Sequence, residues 1–100
     1  GMNQTELNNL IQQGNLGAEA SAALTFLEDW LEAYQEWIIS NLKTCQEDRL
    51  VEYRNLLLAS EGFKSFLAST IASGQIANKE LADFKQQEEY LQRTGYFPGV

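Results

Sequence analysis

Residues 24–45 read LTFLEDWLEAYQEWIISNLKTC, and Leu24, Leu27, Leu31, Tyr34, Ile38, Asn41 and Cys45 recur there at alternating steps of three and four. That spacing lets one helix lie along another, because residues three and four apart share a face. At about 100° per residue, Ala20, Ala23, Trp30, Trp37 and Leu42 widen the seam to almost half the circumference. Glu28, Asp29, Glu32 and Glu36 fill the other half, with Ile39 alone among the acids. The pattern predicts one unbroken helix from near Gly17 or Ala18 to about Gln46, its apolar half against other helices and its anionic half in water.

Three further helices are expected around it. A short one covers about Asn3 to Gln13, with Leu7, Leu10 and Ile11 on one side and Gly14 as a C-terminal cap, so that Gly14–Gly17 forms a turn. Glu47 and Asp48 stand where first-turn acids favour the positive end of a helix dipole, and open a helix that carries Leu50, Tyr53, Leu56, Leu57, Phe63, Phe66, Leu67 and Ile71 and closes at Ser73-Gly74. Around Ser60-Glu61-Gly62 its apolar stripe slides round the axis, which fits either a curved helix or a break. Asn78 serves as the N-cap of the last helix, with Ala77, Leu81, Phe84, Tyr90 and Leu91 as its buried positions and Gly95 just past its end.

Nothing in the chain reads as strand. There is no sustained alternation of period two and no Asn-Gly or Asp-Gly turn, and the one proline, Pro98, is close to the end. The expected fold is all-α: an antiparallel helical bundle built on a long helical hairpin with two shorter helices packed across it. Residues 2–100 are expected to form a single helical domain, with 95–100 an aromatic tail whose Tyr96 and Phe97 fold back on the bundle or dock on a neighbour. Gly1 ahead of Met2 reads as a protease scar from a purification tag.

Composition narrows the chemistry. The apolar share, 44%, is that of a globular protein. There is no histidine, which removes phosphorelay, Ser-His-Asp and Cys-His nucleophilic catalysis, HExxH zinc sites and Glu-x-x-His di-iron bundles together. Cys45 has no second cysteine to bond, and with no imidazole to activate it reads as a small hydrophobe in a reducing compartment. No apolar run approaches the roughly 20 residues that cross a bilayer, and the start lacks a signal peptide's basic and apolar regions, so a cytoplasmic protein is expected. The net charge is -7, and no lysine or arginine precedes Lys43. Such a surface repels phosphate backbones and anionic lipid, so neither direct nucleic-acid nor membrane binding is expected, and a charged partner would be basic.

Two groups of residues are candidates for contact. Phe26, Trp30 and Trp37 fall on one flank of the apolar arc at spacings of four and seven. Packed on the chain's own later helices they are structural; packed on another chain they are an interface anchor, together with Tyr96 and Phe97. The acidic face Glu28, Asp29, Glu32 and Glu36 is either ordinary solvated surface or a docking face for a basic protein. No calcium loop or Gly-rich phosphate cradle accompanies it, and no metal, cofactor or catalytic residue is assigned.

The stretch from FLEDWLEAYQEWI through LVEYRNLLLASEGFKSFLASTIASGQIANKEL resembles small all-helical proteins of tailed-phage and prophage gene clusters. They share a Trp-bearing first long helix and a second closing on a small-Gly pair, here Ser73-Gly74. The resemblance covers about half the chain and implies a virion-assembly, DNA-packaging or accessory role. The sequence thus points to a non-enzymatic helical interaction or assembly protein, a homodimer or larger. The alternative is an acidic regulator or chaperone that masks a basic protein.

Overall fold

Asn3 opens the first helix. Its Oδ1 accepts the Glu6 N–H at 2.8 Å and its Nδ2 donates to Glu6 Oε1 at 3.1 Å. One orphan donor of the first turn is thereby satisfied, and a carboxylate is held at the positive end of the dipole. The helix that follows, α1, runs Gln4–Thr44 without interruption, 41 residues. The computed structural model describes residues 1–95; the expectations for Tyr96 and Phe97 lie outside them.

After Cys45, whose N–H still donates to Asn41 O at 2.8 Å, Gln46 turns extended at φ -67° and ψ 151° and a short 3-10 turn, Glu47–Arg49, leads on. Glu47 and Asp48 occupy that turn, and the residue ahead of it, Gln46, makes no side-chain cap. The second helix, α2, spans Leu50–Thr94, 45 residues. It ends at Gly95, whose φ of 77° is left-handed and whose N–H returns to Leu91 O at 2.7 Å, a stop that glycine makes at little cost. The fold is all-α, with no strand among the described residues.

Four helices were expected, and among the described residues two α-helices are present, joined by the 3-10 turn. The stretch Gly14–Gly17 is not a turn but the middle of α1, and Ser73-Gly74 and Asn78 lie inside α2 rather than at its breaks. Ser60–Gly62 is also helical throughout, so the open question there resolves to continuity.

The glycines explain the difference. Each costs a helix about 1 kcal/mol relative to alanine, a cost that contact can offset where two backbones need to approach closely. A Cβ built on Gly17 would stand 2.8 Å from Gly74 Cα and 3.2 Å from Thr70 O, and one built on Gly74 would meet Gly17 Cα at 2.8 Å. One on Gly14 would run into Asn78 Oδ1. These residues are contact points between α1 and α2, and the chain there reads as a turn only when the partner is out of view.

Contacts group the chain into two compact units, one of Gly1–Glu19 with the chain from Thr70 on, the other of Ala20–Ser69. In the first, Gly14, Gly17 and Gly74 are buried and Ala77 is wholly so. In the second the core is Ala20, Leu31, Ile38 and Leu67, with Ile38 the one large side chain fully enclosed. Leu24, Leu27, Tyr34, Asn41, Leu42 and Cys45 are half-buried along the same stripe, while Glu28, Asp29, Glu32 and Glu36 are exposed. Residues 24–44 are thus the unbroken amphipathic rod that their spacing predicts.

Gly62 sits in α2 with nothing near its missing Cβ, so it bears the helical cost without a contact to offset it. Gly62→Ala should therefore stabilise the protein by about 0.5–1 kcal/mol. Gly17→Ala should destabilise it by about 1–2 kcal/mol, because overpacking against the Gly74 backbone exceeds the gain in propensity. Urea unfolding of the two variants beside the parent protein checks both signs; equal gains would mean that the helices do not touch at Gly17.

Candidate functional site

Within Ala20–Ser69 the α1 aromatics form a ladder. Trp30 and Tyr34 stack with ring centroids 4.9 Å apart and planes 11° from parallel, and Tyr34 and Trp37 continue at 5.9 Å and 18°. These are steps of four and three along one helix, the spacing at which side chains meet. Trp37 then meets Tyr53 of α2 edge-on at 5.8 Å, and the Arg49 guanidinium lies 5.5 Å from the Tyr53 ring centroid. Arg49 also donates from Nε to Glu52 at 2.8 Å, and this hydrogen bond and the Glu52 charge raise its pKa above the usual value.

The ladder is only partly covered. Trp30 is 59% exposed, Trp37 51% and Phe26 85%. The tryptophans do not widen the buried arc of α1, as their angular position suggested; a second neighbour would have to lie beside them, and α2 meets the helix along the Leu31–Ile38 stripe instead. Tyr34, inside the seam, is half-buried as its position predicts.

Beside the ladder runs an apolar groove of about 340 Å³. Leu27, Trp30, Leu31 and Tyr34 of α1 form one wall, and Leu56, Ala59, Ser60 and Phe63 of α2 the other. The small side chains of Ala59 and Ser60 leave the hollow. Ser60 is the one buried polar residue there; its hydroxyl donates to Leu57 O at 2.8 Å and accepts from Gln35 Nε2 at 3.1 Å. That second bond crosses between the helices and ties their register at the groove.

The α2 wall was not singled out in the sequence. Phe63 and Phe66 belong to the apolar positions that the sequence places on this helix, yet they are 41% and 66% exposed. The available signal was an excess: Leu56, Ala59, Phe63, Phe66 and Leu67 make a wider apolar stripe than one neighbouring helix can cover. Single exposed apolar residues elsewhere, such as Val51 and Leu58, are ordinary surface.

Other features offer less. Glu28, Asp29, Glu32 and Glu36 point to solvent, and among the described residues no group of three His, Cys, Asp or Glu side chains is arranged to hold a metal. A depression of about 600 Å³ bordered by Asp83, Gln86, Tyr90 and Arg93 is walled by α2 alone, so it is open surface rather than a cleft. Cys45 is half-buried at the end of α1. No helix among the described residues is long and apolar enough to cross a membrane. No protein-family model, curated protein or solved structure matches the chain.

Ser60→Ala should lower stability by about 1 kcal/mol, the loss of the cross-helix bond partly offset by the better helix propensity of alanine. In a double-mutant cycle in urea, Gln35→Ala should add little once Ser60 is gone. Full additivity would mean that the two side chains do not interact.

Proposed function

We propose that this chain is a non-enzymatic protein–protein interaction or assembly protein whose contact surface is the aromatic flank Phe26, Trp30 and Trp37 together with the groove beside it. The observation that carries this reading is the exposure of Trp30, more than half of whose surface meets water although it forms a wall of an apolar groove. Tryptophan is enriched at binding hot spots because it combines a large apolar area with few torsions to freeze. Stacking on Tyr34 holds Trp30 in place before a partner arrives, which lowers the entropy lost on binding.

In this proposal α1 and α2 are the arms of an antiparallel helical hairpin, and helices supplied by a partner complete it as a bundle. The setting we propose is the cytoplasm, with no direct contact to nucleic acid, since the chain's net charge of -7 opposes phosphate. The proposal extends to a virion-assembly, packaging or accessory role of phage or prophage origin, for which the support is the helical and Trp-bearing pattern described above.

The second reading, an acidic regulator or chaperone masking a basic protein, is favoured by one observation. Glu28, Asp29, Glu32 and Glu36 are all exposed on a helix whose one basic residue is Lys43.

Affinity capture with the full chain separates the two. Under the aromatic reading, Trp30→Ala should weaken partner binding at least tenfold, with little dependence between low and high salt. Binding that survives Trp30→Ala but is lost with Glu32→Gln and Glu36→Gln, or in high salt, would transfer the function to the acidic face.

A further inference from the structure

We draw no further inference here: the strongest candidate, the apolar groove between α1 and α2 bordered by Leu27, Trp30, Tyr34, Leu56, Ala59 and Phe63, belongs to the contact surface already described, and nothing in the structure shows what covers it.

Discussion

A pair of helices has one mutual face, and that limit governs everything else in this protein. α1 and α2 are 41 and 45 residues long, and on each a residue is enclosed only if it falls near the line of contact. Leu31 and Ile38 fall on it and are buried. Trp30 and Trp37 each stand one residue before one of these, about 100° round the helix, and remain more than half exposed. Apolar residues beyond the first stripe therefore become surface, and the surface they make is an aromatic one.

Two ways of closing the seam are used. In the unit of Gly1–Glu19 and the chain from Thr70, small residues bring the backbones into contact, so close that Gly17 and Gly74 leave no room for a Cβ on either. In Ala20–Ser69, Leu31, Ile38 and Leu67 provide the enclosed side chains. There the small residues Ala59 and Ser60 lie beside the seam, and Leu56, Phe63 and Trp30 border the hollow they leave. The same residue class that closes one contact thus opens a recess in another, according to whether it faces the partner helix or flanks it.

The recess and the ladder belong together in the proposed contact surface. Stacking of Trp30, Tyr34 and Trp37 along α1 restricts their rotamers before anything binds, and the cross-helix bond from Gln35 to Ser60 holds the two walls in register. A surface ordered in this way loses little entropy when covered, which is where exposed apolar area becomes affinity rather than a liability. Glu28, Asp29, Glu32 and Glu36 take up much of the remaining exposed face of α1 beside it.

Local sequence determined the helical state and the amphipathic rod, because the three-four spacing of Leu24 through Cys45 and the absence of interior proline depend on residues within a few turns of one another. It also determined the ends, through Asn3 and Gly95. Tertiary structure decided that Gly14, Gly17 and Gly74 are contacts and not stops, since glycine favours a turn and a close approach equally and only the facing helix distinguishes them. It likewise decided that the tryptophans and Phe63 lie outside the core. The spacing of a helix says which residues share a face, whereas which face meets a neighbour is set by residues far along the chain.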